Sequence, residues 1–137
     1  MPQFEVIDHT ADIGIIAYGK DEKEVFSSSA YGLFSIIAEL DEVNDVICRE
    51  VEVTADDEEA LLVSWLNELL YLFDVEYIIF KRFELIDLTE HELRANAYGE
   101  RFDPSRHTLK TQVKAATYHM LKIEKGDGFK AQIIFDV

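Results

Sequence analysis

The sequence predicts an α+β fold in which two main amphipathic helices pack on a mainly antiparallel sheet, within a single compact domain over residues 1–137. Two long stretches carry apolar residues at helical spacing, and several shorter stretches show the apolar runs and alternation of strands. The intervals between them lack the regular strand–helix–strand alternation that a parallel sheet requires. With 137 residues, 48% of them hydrophobic, the chain can bury a core without a disulfide or a structural metal.

Local signals along the chain predict each element. Asp21 with Glu24 and Asp56 with Glu59 each match a capping box with acidic residues in the first helical turn. The segment Lys125-Gly126-Asp127-Gly128 predicts a β-hairpin. In chain order, the sequence predicts strands at 4–7 and 13–18, a helix at about 22–40, a strand at 46–54, a helix at about 57–73, strands at 77–88 and 92–98, one or two helical turns at 111–116, and strands at 118–124 and 129–135.

Net charge limits the classes of function. The chain has 28 acidic and 13 Lys or Arg residues, which gives a formal net charge of −15. Domains that bind nucleic acid on their own neutralise phosphates with clustered Lys and Arg, so autonomous nucleic-acid binding is not expected. Divalent cations or a basic protein surface suit this charge better, although solubility alone would also explain it. Without a signal-peptide pattern or an apolar run near the ~18 residues of a membrane span, we expect a cytoplasmic protein without membrane contact.

Standard catalytic motifs are missing from the sequence. It contains no GxGxxG, Walker A, GxSxG or HExxH pattern. Its single cysteine, Cys48, excludes an intramolecular disulfide and zinc sites built from several thiolates. Because Cys48 lies in a strand-like Val-Ile-Cys segment, we expect its thiol to be buried and unreactive.

Two segments offer oxygen ligands for a hard cation. The first is the polar turn Asp8-His9-Thr10-Ala11-Asp12 between two apolar runs, although Asp8 and Thr10 would equally satisfy backbone donors of an Asx-type turn. The second is the end of the chain, where the Asp136 side chain and the Val137 carbonyl follow an apolar strand. If the hairpin loop is 127–128, Asp136 lies opposite His119, and if the loop is 126–128 it lies opposite Tyr118.

A third segment concentrates positive charge in a chain that otherwise has little of it. Such residues suit a phosphate, a nucleotide or acidic residues of a partner, but they would equally neutralise neighbouring Asp and Glu side chains. The residues concerned are Arg101, Arg106, His107, Lys110, Lys114 and His119.

In these segments the sequence resembles the archease family. The resemblance rests on four stretches that occur in order: DHTADIG at 8–14, GERFDPSRH at 99–107, VKAATYH at 113–119 and FDV at 135–137. It covers the chain from near its first residue to its last. Each stretch is weakly specific alone, and the ordered set is specific.

The resemblance implies a protein cofactor of the RtcB-type tRNA-splicing RNA ligase rather than an enzyme. It implies that the chain promotes formation of the ligase's guanylate intermediate from GTP with a divalent metal, and supports multiple turnover. GTP and tRNA halves would be reached only through the ligase complex. The implied metal ligands are Asp12, Asp136 and the main-chain oxygen of Val137, with Ca²⁺ expected first and Mg²⁺ or Mn²⁺ as alternatives. Further candidates for contacts with the partner or nucleotide are Asp8, His9, Arg106, His107, Lys114 and His119.

The resemblance also suggests that Asp12 and Asp136 meet. Two carboxylates about 4 Å apart repel each other by on the order of 4 kcal/mol at an effective dielectric of 20, and a divalent cation would relieve this repulsion. Two other functions stay open. One is an autonomous metal-dependent hydrolase that uses His9 or His119 as its acid–base group, and the other is a chaperone-like interaction module.

Overall fold

The computed structural model describes residues 2–8 and 12–137. His9 therefore lies outside the described residues, as does the side chain of Asp8. The chain forms, in order, β1 (Gln3–Asp8), β2 (Asp12–Gly19), α1 (Glu22–Ile37), β3 (Ile47–Thr54), α2 (Glu58–Glu76), β4 (Ile78–Leu88), β5 (Glu92–Arg101), β6 (Ala115–Ala116), β7 (Lys122–Lys125) and β8 (Phe129–Asp136).

The strands form two antiparallel sheets, and the predicted α+β fold is confirmed. In the first sheet the order is β1-β2-β8-β6, and β7 also pairs with β8. In the second sheet the order is β3-β5-β4. Helix α1 contacts strands of both sheets, and α2 contacts the second sheet and β6. Among the described residues, neither helix is long and apolar enough to cross a membrane.

Both helices begin at an aspartate whose side chain caps the first turn. The Asp21 carboxylate accepts a hydrogen bond from the Glu24 N–H at 2.8 Å, as the capping box predicted. In α2 the cap is Asp57 rather than the predicted Asp56, because it is the Asp57 carboxylate that accepts from the Ala60 N–H, at 2.7 Å. Helix α1 ends at Ile37, where Ala38 turns to extended backbone, so it is shorter than predicted.

The core lies between the helices and the inner faces of the sheets. Phe34 of α1 packs edge-on against Phe73 and Phe80, with ring centroids 6.3 and 5.6 Å away. Gly32 allows α1 to approach the first sheet, since a Cβ atom there would lie 2.9 Å from Ile15 Cδ1. The glycine that weakens the helical pattern in the sequence is therefore a close-packing position.

The predicted helical turns at 111–116 are wrong. A helix requires each N–H to bond a carbonyl four residues earlier, but here the donors bond distant partners. The Lys110 N–H bonds the Ile37 carbonyl at 2.7 Å, and the Lys114 N–H bonds the Asp136 carbonyl at 2.8 Å. Residues 111–114 instead have no regular secondary structure, and β6 follows at Ala115–Ala116.

The predicted burial of Cys48 is also wrong, since its thiol is exposed. In β3 the side chains alternate between the two faces of the sheet, and Val51 is the buried residue. Cys48 lies three residues before Val51, so its side chain is on the opposite face of the sheet, and it pairs with Tyr98 of β5. Position within the strand, rather than the apolar neighbours, determines its exposure.

The C-terminal hairpin has the three-residue loop 126–128, because Lys125 pairs with Phe129. That register does not continue to the end of β8, where Asp136 pairs with Ala115. Extra residues form a turn at 118–121 in which Met120 has a φ of 54°. Neither predicted partner of Asp136, Tyr118 or His119, therefore lies opposite it.

Candidate functional site

The central feature of the candidate site is a pair of aspartates on neighbouring strands. Asp12, the first residue of β2, lies directly opposite Asp136, the last residue of β8. Directly opposite residues of an antiparallel pair lie on the same face of the sheet, with Cβ atoms about 4.5–5.5 Å apart. Asp12 is half-buried and Asp136 is exposed. We call these two residues the acidic pole.

The flanking residues determine this register. Ile15 and Ile133 pair on the inner face and are fully buried, so a one-residue slip of either strand would expose them. On the other face, a Cβ atom added to Gly14 would lie 2.6 Å from Ile134 Cδ1 and 2.8 Å from the Ile133 carbonyl oxygen. Glycine at position 14 therefore allows the two strands to approach closely beside the acidic pole.

A third strand extends the site on the other side of β8. Ala115 pairs with Asp136, and the Lys114 N–H donates to the Asp136 carbonyl oxygen at 2.8 Å. Thr117 bonds the Ile134 carbonyl through both its N–H and its hydroxyl, at 3.0 and 2.8 Å. Lys114 is exposed, and among the described residues no ion pair involves its side chain. The structure thus brings the backbone of Lys114 next to Asp136.

Helix α2 holds this third strand in place through Asn67. The Asn67 side-chain oxygen accepts from the Ala116 N–H at 2.8 Å, and its amide nitrogen donates to the Ala116 carbonyl at 3.3 Å. The carboxamide therefore takes the place of a strand neighbour at the outer edge of β6. A single amide inside a helix carries no sequence signal for such a contact, and sequence reasoning missed it.

The pole has the donor chemistry of a hard-cation site. Its carboxylates and the nearby main-chain carbonyls are oxygen donors, which suit Ca²⁺, Mg²⁺ or Mn²⁺. Among the side chains that the structure describes, no group of three or more His, Cys, Asp or Glu is placed to hold a metal ion. The two carboxylates fit a divalent cation whose remaining ligands come from main-chain oxygens, water or a partner.

His107, predicted as a contact residue, instead has internal bonds. Its side chain is fully buried, and its Nδ1 accepts a hydrogen bond from the Asp103 N–H at 2.9 Å. Its Nε2 lies 3.1 Å from a Glu100 carboxylate oxygen and 3.2 Å from the Glu42 carbonyl oxygen. Because Nδ1 accepts, the ring proton lies on Nε2, where both of these oxygens can receive it.

Arg106 belongs to the same internal network. Its guanidinium pairs with the Glu100 carboxylate and lies 3.4 Å from Asp103. The Asn44 N–H, followed by Arg106 and His107, holds the pKa of Glu100 below its ordinary value. These bonds tie the loop after β5 to the segment before β3, and the contact roles of Arg106 and His107 stay predictions.

Two further basic residues lie at the C-terminal ends of the helices. The Lys110 ammonium donates to the Ser35 carbonyl of α1 at 2.7 Å. The Arg101 guanidinium lies 3.5 Å from the Glu76 carbonyl oxygen at the end of α2. Neither helix has a basic residue in its own last turn, so these side chains supply positive charge at the negative ends of the helix dipoles. His119 lies in the exposed turn at 118–121, and its N–H bonds the Thr117 hydroxyl at 3.3 Å.

Comparisons with known proteins match nearly the whole chain. A family model described as the Archease protein family (MTH1598/TM1083) matches residues 4–137. The chain is 43% identical to protein archease of Methanosarcina acetivorans over 98% of this chain and 96% of that one. It is 45% identical to protein archease of Pyrococcus abyssi, with both chains covered completely. The solution structure of Methanobacterium thermoautotrophicum protein 1598 matches with a TM-score of 0.83 and 37% identity over 98% of each chain.

Proposed function

The chain belongs to the archease family, and we propose that it is a protein activator of an RtcB-type tRNA-splicing RNA ligase. In this proposal it promotes GTP- and metal-dependent guanylylation of the ligase and supports multiple turnover. It is not itself an enzyme, and it acts in the cytoplasm. It reaches GTP and tRNA halves only through the ligase complex, since its net charge of −15 opposes binding nucleic acid alone.

The observation that carries the proposal is the acidic pole. Asp12 and Asp136 lie opposite each other at one end of the first sheet, and the backbone of Lys114 lies next to Asp136. Like charges directly opposite on neighbouring strands are destabilising, so this arrangement favours a cation between them. Asp12, Asp136 and the main-chain oxygen of Val137 would hold it, with Ca²⁺ as the first expectation and Mg²⁺ or Mn²⁺ as alternatives.

The chain's own residues would act by position and charge. The β2–β8 ladder holds the two carboxylates in fixed relative positions, so little ordering is needed when the pole enters the metal- and nucleotide-binding cleft of the ligase. Lys114 would offer an ammonium to phosphate oxygens beside the pole. When bound, a divalent cation supplies positive charge that stabilises the reacting phosphate. The acidic surface elsewhere would raise the rate of docking on a basic partner.

A guanylylation assay tests the proposal. The ligase is incubated with GTP and each of Ca²⁺, Mg²⁺ and Mn²⁺, with and without this chain, and covalent guanylate is measured. We expect stimulation by the wild-type chain, and loss of it in Asp12→Asn and Asp136→Asn.

The matched control for this assay is Asp127→Asn. It removes the same charge from the exposed hairpin loop, at the opposite end of the strands that carry the pole. Asp127→Asn should stimulate as the wild type does. Full stimulation by both pole variants would contradict the proposal, and GTP turnover by the chain alone, lost on chelation, would instead indicate a hydrolase.

A further inference from the structure

A set of exposed apolar side chains follows helix α2 and the segment beside it. Each is between 46% and 64% exposed, unlike the buried residues of the core. We call this set the apolar band, and it consists of Tyr71, Val75, Tyr77, Leu109 and Tyr118.

The members of the band meet in two surface depressions joined by the helix. Tyr71 and Tyr118 line one groove together with Asn67. Tyr77 and Leu109 line a second, mainly apolar cleft. Val75 lies on α2 one turn after Tyr71, on the same side of the helix. Four of the five residues therefore line two depressions to which α2 contributes, and Val75 lies beside Tyr71.

The band lies next to the acidic pole. The segment that contains β6 has β8 on one side, through the Lys114–Asp136 bond, and α2 on the other, through the Ala116–Asn67 bonds. One strand spacing of about 4.8 Å and an element spacing of about 8–10 Å place α2 at Asn67 about 13–15 Å from Asp136, and Tyr71 lies about 6 Å further along the helix. A circular interface of about 800 Å² per partner has a radius of about 16 Å, so one partner can cover both features.

The backbone at Tyr77 supports an interaction role. Tyr77 ends α2 with a φ of 59°, a left-handed conformation that favours glycine. Its ring gains little from the folded chain, since it is 63% exposed. A large aromatic side chain kept in an unfavourable backbone conformation and in solvent is typical of a residue that packs against a partner.

Charge identifies the kind of partner. Glu68 is the charged residue that lines the Tyr71 groove, while Asp74 and Lys110 both line the Tyr77 cleft, so the acidic charge at the band lies at the Tyr71 groove. A second copy of the chain also carries −15, and nucleic acid is an anion, so both are repelled. We propose that the apolar band is a docking surface for a protein face in which apolar residues are flanked by Lys and Arg, and that this face belongs to the ligase that receives the acidic pole. This inference rests on the proposed function.

Binding titrations with the double variant Tyr71→Ser/Val75→Ser test the band. Both side chains are exposed, so the variant should fold, and its melting temperature checks this. We expect its dissociation constant for the ligase, measured calorimetrically, to rise at least tenfold, because aromatic residues often dominate interfaces. The concentration needed for half-maximal guanylylation should rise by the same factor, while stimulation at saturation stays at the wild-type level.

Val46→Ser is the matched control. Val46 is 71% exposed and lies directly before β3. It is two residues from the exposed Cys48, so its side chain lies on the same outward face of the sheet, away from α2. It should bind and activate as the wild type does. Wild-type affinity in the double variant would overturn the inference while leaving the proposed function intact.

The remaining outcomes separate the two proposals. If the wild-type chain does not bind or stimulate the ligase, both the proposed function and this inference fail. Dimerisation of the wild-type chain that the double variant abolishes, measured by sedimentation, would assign the band to a second copy and overturn the inference. Binding of tRNA halves by the chain alone, reduced by the same variant, would overturn it in favour of RNA.

Discussion

Two pairs of carboxylates lie where elements of this fold meet, and their surroundings differ. Asp12 and Asp136 lie at the ends of two strands, beside main-chain carbonyls and with Asp136 exposed. Glu22 and Glu58 are the first residues of α1 and α2, and Glu22 is one of the groups that act on the pKa of Glu58. Burial, followed by the hydrogen bond and repulsion from Glu22, raises the pKa of Glu58 to about 7.

The difference shows that one kind of residue pair can serve two kinds of chemistry. In the glutamate pair, burial and the neighbouring Glu22 side chain favour the protonated form of Glu58. The aspartate pair lies instead at the ends of two central strands, where Asp136 is exposed. We therefore expect the acidic pole to respond to divalent cations and the glutamate pair to respond to pH.

Calcium should stabilise the wild-type chain through the pole. At a Ca²⁺ concentration 100 times the dissociation constant, binding to the folded state alone adds roughly 2.7 kcal/mol to the free energy of unfolding. Thermal melting with and without Ca²⁺ measures this effect, and Mg²⁺ and Mn²⁺ are compared in parallel.

Two variants assign the calcium effect to one pair. Asp12→Asn should lose the rise in melting temperature, because it removes one of the two pole carboxylates. Glu22→Gln, which removes a carboxylate from the other pair, should keep it. An equal response in both variants would mean that the two pairs do not differ in their affinity for cations.

Gly14→Ala should disturb the pole without changing any charge. The added methyl group would lie 2.6 Å from Ile134 Cδ1 and 2.8 Å from a backbone oxygen, so the strands must shift apart. Overpacking of this kind costs about 1–3 kcal/mol, and denaturant unfolding measures it. In contrast, Gly126→Ala adds the same group where nothing lies within 4 Å and should change stability by less than about 0.5 kcal/mol. Equal stability of the two variants would show that strand approach at position 14 does not matter.

The comparison also indicates what the sequence can predict. Apolar periodicity and caps predicted both helices, because each is a local pattern within one element. The extended strand before Asp136 was predicted for the same reason. The partner of Asp136 on the hairpin side was not predicted, because the turn at 118–121 inserts residues into the ladder. Met120 has a left-handed backbone conformation in this turn, and no glycine in the sequence indicates it. The prediction of strand partners from the hairpin loop assumes that the pairing continues without a break, and here the turn at 118–121 interrupts the pairing with β8.

Contacts between distant elements were the other limit. Asn67 reaches a strand that lies 49 residues later, and His107 is buried by bonds to residues on both sides of β5. In the sequence, His107 lies among several basic residues, and this pattern fits a contact surface as well as it fits internal pairing with Asp and Glu side chains. The structure shows the internal partners of Arg106 and His107, which the sequence alone does not reveal. The contact roles of the basic candidates stay predictions.

The smallest predicted effect concerns the pH dependence of the glutamate pair. The pKa of Glu58 is about 7 in the folded chain, above its ordinary value of 4.5, so the folded state binds more protons than the unfolded state. The stabilising contribution of the protonated pair is therefore complete below about pH 4.5 and is lost as the pH rises through 7. Glu58→Gln keeps a neutral hydrogen-bonding side chain at every pH. Because solvent screens this partly exposed site, we expect the variant to be more stable than the wild type by only about 1 kcal/mol at pH 8.

Unfolding in denaturant at pH 5 and pH 8 measures the prediction for Glu58. The wild type should lose more stability between the two pH values than Glu58→Gln does. Asp56→Asn removes an exposed charge near the same helix end. It should lose as much stability between pH 5 and pH 8 as the wild type does, since Asp56 is not among the groups that raise the pKa of Glu58. If Glu58→Gln and Asp56→Asn reduce the loss of stability between pH 5 and pH 8 equally, general repulsion among the acidic residues explains the pH dependence. The glutamate pair would then have no special response to pH, and this part of the comparison with the acidic pole would be wrong.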